Sequence, residues 1–222
     1  SPFYTYVSML LAGVVSFVTP ALSALAVAGE RQRRSLDLVF SAPVSPHYFL
    51  VGKLISSMRW IAMLIVLALP ISAVSIVMGG ATWLDAIGAY VILLSAAGVY
   101  ASMSILVSSF APSPVSAVVL SFLFVGAYAL PMVSMVSLYS FGFRGAPIPW
   151  YSGLSPFMAG MTAPGFQPVL GVDVPNWILV ARASSAITQF VLLAAASRLS
   201  GYGARETRRM RQWGVVLVAV LV

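Results

Sequence analysis

Five long apolar stretches alternate with short polar breaks along this chain, at roughly 3–28, 54–78, 86–110, 115–139 and 177–199. A hydrocarbon core about 30 Å thick needs about 20 helical residues, and each stretch is long enough. None shows the two-residue apolar–polar alternation of a membrane strand, so the pattern predicts helices. The breaks hold helix breakers: Gly79-Gly80 after the second stretch, Pro112 and Pro114 between the third and fourth, and Pro175 before the fifth. The predicted fold class is an all-α polytopic membrane protein with five complete transmembrane helices.

Composition removes the alternatives. Of 222 residues, 60% are hydrophobic and 8% charged, where a soluble domain carries about 45–50% and about 25%. So little charge cannot cover a globule of this size, which excludes a cytosolic enzyme, a disordered tail and a small secreted domain. The absence of cysteine excludes disulfides, thiolate metal sites and thiol catalysis.

Charge orients the helices. The net charge is +7, and ten of the twelve cations fall at or near two segments, 31–59 and 198–211, beside apolar runs. That is the positive-inside pattern of a multi-pass protein in the cell membrane, and it predicts that 29–53 and 198–212 are cytoplasmic. The loop 79–85 is then outside, the turn 111–114 inside and the segment 140–176 outside. The basic clusters lack interleaved aromatics, so nucleic acid is not a predicted partner. Ser1 starts on the outer face with no basic n-region after it, and an apolar run opening at Trp213 spans only ten residues. We therefore expect a transmembrane domain over 1–212 that lacks its first span, and over 213–222 the truncated start of a further apolar segment.

Catalytic signatures fail. Lys53 follows Gly52, but Leu54 stands where a phosphate-binding loop needs Ser or Thr, and His47 occupies the position of its first glycine. A single histidine, read as a loop residue beside Pro46, excludes two-histidine zinc sites. Gly153-Leu154-Ser155-Pro156 is half a nucleophile elbow with no closing glycine or base. The five acids lie outside the apolar cores, whereas an ion-coupled carrier places carboxylates within the bilayer. No catalytic residue, cofactor or metal is assigned. Of the cations within spans, Arg59 and Arg198 sit near cytoplasmic ends. Arg182 lies about 9 Å past Asn176, where it either snorkels to the outer interface or faces a pathway. Pro20, Pro70 and Pro131 fall inside spans, and Gly98, Ala101 and Ser102 form a face suited to close helix packing.

The segment after the first stretch is the most informative. Glu30 and Arg34 have the spacing of an i,i+4 pair, and Leu36, Val39 and Phe40 share one helical face that ends before Pro43. Periodicity supports two readings equally: an interfacial helix lying on lipid, and a handle gripped by a cytoplasmic partner.

Residues carry the matter further. Glu30-Arg31, Ser35-Leu36-Asp37-Leu38, Ser41, Pro43-Val44-Ser45 and Gly52-Lys53-Leu54 closely resemble the pattern of ABC type-2 exporter permeases. Leu154-Ser155-Pro156-Phe157 and the serine-rich turn Ser108-Ser109-Phe110 extend the resemblance over essentially the whole chain. It implies that the five helices are family spans two to six. It also implies that 30–42 is a coupling helix contacting a separate ATP-binding cassette subunit, through Glu30, Arg31, Arg34, Ser35, Leu36, Asp37, Leu38, Val39, Phe40 and Pro43, with Lys53 behind it. A second permease domain and membrane lipid are the other implied partners. Short re-entrant helices are implied for the outer loop 140–176, which holds six of the fourteen prolines. The extra basic pair Arg33-Arg34 and the apolar run from Trp213 depart from the family pattern. The rivals are a non-transporting anchor or assembly protein and, against the charge-free spans, a secondary carrier or channel. Apolar spans suit lipids, drugs and lipid-linked glycans alike.

Overall fold

A computed structural model describes residues 2–33, 45–77, 82–142, 150–169, 171–200 and 212. The chain is a helix bundle. Helix α1 (Pro2–Ser23) continues almost directly into α2 (Leu25–Gln32), followed by α3 (Pro46–Val77), α4 (Trp83–Phe110) and α5 (Pro114–Gly142). A compact segment with one further short helix, α6 (Ala159–Thr162), leads to α7 (Asn176–Ser200). Tyr4–Gln32, Pro46–Val74, Trp83–Phe110 and Asn176–Leu199 are each long and apolar enough to cross a membrane. Helix α5 has 29 residues.

Two boundaries differ from the hydropathy reading, for one reason: hydropathy reports immersion in lipid, while backbone hydrogen bonding continues beyond it. Helix α3 starts at Pro46 instead of residue 54. Its 32 residues extend about 48 Å, well beyond a hydrocarbon core of about 30 Å. His47, expected in a loop, is therefore in the first turn of α3, just after a proline whose missing N–H is harmless at a helix start. Glu30 and Arg31, expected in a separate amphipathic helix, sit on α2 as the direct continuation of the first span.

Helix α4 is the centre of the bundle and packs against α1, α3, α5 and α7. Its buried face is rich in small residues, among them Ala86, Gly88, Ala89, Ala97, Ala101 and Ser102, which let neighbouring backbones approach closely. Its start is fixed by a capping box, Thr82 and Asp85 each bonding the other's backbone N–H. Helices α1–α2 and α4 run parallel with a constant register. Tyr4 Oη donates to the Asp85 carbonyl at 2.9 Å, and 27 residues further on Arg31 donates to the Ala111 carbonyl at 3.1 Å. Several apolar clusters fill the bundle, and the two largest divide its length. Val15, Ile61, Ile92, Leu93 and Val180 occupy one half; Val27, Leu50, Ile105 and Leu192 lie toward the basic end. Large side chains of α3, including Trp60, Met63 and Leu67, face outward.

The segment before α7 contains the 3-10 turns Trp150–Leu154 and Pro156–Met158, then α6 and an antiparallel hairpin, β1 (Phe166–Val169) with β2 (Val172–Pro175). The hairpin was not anticipated. Gly171 turns it at φ +81°, a conformation that favours glycine. The turns are buried against the long helices. A Cβ on Gly153 would come within 2.7 Å of Val180 Cγ2, and one on Gly160 would overlap the Ser8 hydroxyl. Asn176, the first residue of α7, donates its N–H to the Gly165 carbonyl at 2.9 Å.

Candidate functional site

The basic end of the bundle gathers polar contacts from four helices. Helix α2 begins at Leu25, so the N–H groups of its first turn have no partner within α2. The Ser108 hydroxyl, fully buried on α4, supplies one: Val27 N–H donates to it at 3.2 Å and Ala28 N–H at 2.9 Å. One side chain of α4 thus caps a helix from a different part of the chain.

The reciprocal contact lies one turn further along α2. Arg31 forks its guanidinium onto the Ser109 carbonyl (2.9 Å) and the Ala111 carbonyl (3.1 Å). Both belong to the C-terminal end of α4, where unpaired carbonyls and the helix dipole favour a cation. Pro112 follows and prevents continuation of α4. The next helix restarts through Ser113 and Ser116, each hydroxyl accepting the other's backbone N–H.

Glu30 points to the other side and meets Lys53 on α3, Oε1 to Nζ 2.6 Å. About 30% of each side chain is exposed, so water screens the pair and limits its worth to stability. Its position is more telling than its strength. Glu30 precedes and Lys53 follows the segment that joins the first two long helices, so the pair closes the base of that segment. Lys53 also lies 5.5 Å from the Phe49 ring, and Arg198 of α7 lies 4.4 Å over the Phe110 ring at the end of α4. A polar cavity of about 310 Å³ opens beside this cluster, lined by Leu25, Gly29, Glu30, Gln32, Arg33 and Pro114.

Of the predicted site residues, Glu30, Arg31 and Lys53 are brought together. Arg34, Ser35, Leu36, Asp37, Leu38, Val39, Phe40 and Pro43 lie outside the described residues. Arg182 is exposed on α7, 16 residues and about 24 Å along the helix from Arg198, and is not part of the cluster. Sequence reasoning missed Ser108 as a cap and Arg198 as a partner of Phe110. The one signal was a pair of serines closing an apolar span. Among the described residues the arrangement holds no nucleophile–base pair; its contacts tie the ends of α2, α3 and α4 together.

Residues 4–198 match the family model described as ABC-2 family transporter protein. No curated protein and no solved structure matches the chain. The match runs from the first turns of α1 almost to the end of α7, across the long apolar helices and the clasp at their basic end. The chain is a membrane protein that belongs to the ABC-2 transporter family, as a permease subunit of an ABC transporter.

Proposed function

We propose that this permease moves its substrate outward by alternating access, driven by a separate ATP-binding cassette subunit that pushes on residues 30–42. Two such membrane domains, identical or different, enclose the pathway in the plasma membrane, with 29–53 and 198–212 on the cytoplasmic side. The observation that carries this reading is the clasp at the base of the segment. Glu30–Lys53 ties its two ends together, and Arg31 fastens one of them to the C-terminal end of α4. A displacement of the segment therefore reaches three long helices at once, which a passive interfacial helix would not require. Arg182, exposed on α7, is the proposed charged contact along the pathway. In this reading the short helices between Trp150 and Thr162 shield its outer end.

The test is charge reversal in the segment, Glu30→Lys with Asp37→Lys, in the complete transporter. Insertion and folding are expected to persist, while co-purification of a nucleotide-binding subunit and ATP-dependent transport are lost. Unchanged co-purification and transport would overturn the coupling role. Failure of the unaltered chain to capture any nucleotide-binding subunit would point instead to a non-transporting anchor.

A further inference from the structure

Pro20 and Pro70 both lie inside long helices, and the polar groups around them differ. Pro70 in α3 has no N–H for the carbonyl four residues back. Near it the Ser72 and Tyr90 hydroxyls bond each other, and both reach the Ala68 carbonyl, at 3.3 and 3.4 Å. That cluster is self-contained.

Pro20 in α1 likewise cannot donate to the Ser16 carbonyl. Here the surrounding hydroxyls are not paired. Ser16 Oγ, Tyr100 Oη on α4 and Tyr128 Oη on α5 are all buried, and none has a hydrogen-bond partner among the described residues. They belong to one neighbourhood. The Tyr100 and Tyr128 rings meet edge to face with centroids 6.1 Å apart. The parallel register of α1 and α4 puts Ser16 within one turn of Tyr100. Polar groups buried in a membrane bundle are expensive when unpaired, and ordered water is a general means of re-satisfying a carbonyl freed by proline.

We propose that Ser16, Tyr100 and Tyr128 form an internal water site where α1, α4 and α5 meet. The donor–acceptor count fits one tetrahedral water molecule. The tyrosine hydroxyls can donate to it, and the Ser16 carbonyl freed by Pro20 can accept from it. An apolar ligand would leave these groups unpaired. A bare cation would lack a counter-charge, because the acids among the described residues, Glu30, Asp85 and Asp173, lie at the ends of the bundle or on the hairpin. Water exchanges hydrogen-bond partners easily, so the site tolerates small adjustments of side-chain position where the three helices meet.

Radiolytic hydroxyl labelling of the full-length protein in phosphatidylcholine nanodiscs tests the site, with brief mixing into ¹⁸O-water before exposure. Tyr100 and Tyr128 are expected to be labelled above the level of buried Leu192 and Leu193, retaining ¹⁶O at short mixing times. Labelling no higher than those leucines would overturn the proposal. Independently, Tyr100→Phe and Tyr128→Phe should each lower the melting temperature by about 2–4 °C, with the double substitution costing less than the two together. Unpaired hydroxyls predict the reverse: unchanged or raised melting temperatures, additive in the double variant.

Discussion

Glu30 and Lys53, 23 residues apart, meet at 2.6 Å across the two helices that flank the 34–44 segment. The relationship separates stability from coupling. A solvent-accessible pair of this kind contributes at most about 1 kcal/mol, so Glu30→Gln or Lys53→Gln should shift the melting temperature by no more than about 2–4 °C. Transport per ATP hydrolysed should fall much further. The exchanged pair, Glu30→Lys with Lys53→Glu, should recover part of that ratio if closing the base is what matters. Vesicle transport measured alongside ATPase rate reads both effects.

Ser108→Ala removes an acceptor from two buried backbone N–H groups, those of Val27 and Ala28. The expected destabilisation is about 1–3 kcal/mol. Ser109→Ala deletes a hydroxyl that bonds the Leu106 carbonyl of its own helix, and should cost little. Thermal unfolding of both variants in one detergent gives the comparison.

Arg31→Lys keeps the charge but loses the fork that spans two carbonyls of α4. Because Arg31 is solvent-exposed, the expected stability loss is below about 1 kcal/mol, and coupling between ATP hydrolysis and transport should suffer more. Arg31→Lys and Arg31→Ala should resemble each other in the transport-to-ATPase ratio. Full activity in the lysine variant would show that charge, and not the fork, is needed.

Gly153→Ala forces a Cβ against Val180 Cγ2 at 2.7 Å and Thr162 Cγ2 at 3.1 Å, and should destabilise by about 1–3 kcal/mol. Val180→Ala introduced with it should restore part of that loss. Gly126→Ala on α5 meets nothing within 4 Å and should stabilise by about 0.5–1 kcal/mol through helix propensity. Melting temperatures of the three variants decide the matter.

Much of the architecture was legible because long apolar runs have few other solutions, and Gly79-Gly80, Pro112 and Pro175 punctuate them. The helix starts were less so: Lys53 and His47 look like loop residues to a hydropathy window, yet they continue α3 beyond the lipid. The resemblance marked Glu30, Arg31 and Lys53, but their partners could not be read, because contacts such as Arg31 with Ala111 depend on the register of helices 80 residues apart. The hairpin at 166–175 was obscured by Pro168 and Pro175, which read as breakers; a two-stranded ribbon consists only of edges, where proline is tolerated.

The first span and α4 are fastened to each other near both ends, at Tyr4–Asp85 and Arg31–Ala111, about 40 Å apart along the helix axis. Two rods bound in this way cannot slide past each other, so they tilt together as a single strut. A strut of that length rocking about its middle by about 5° carries each end through about 2 Å. In the proposed coupling, a small push at the basic end would become an opposite displacement at Tyr4, beneath the turn where Gly160 lies against Ser8.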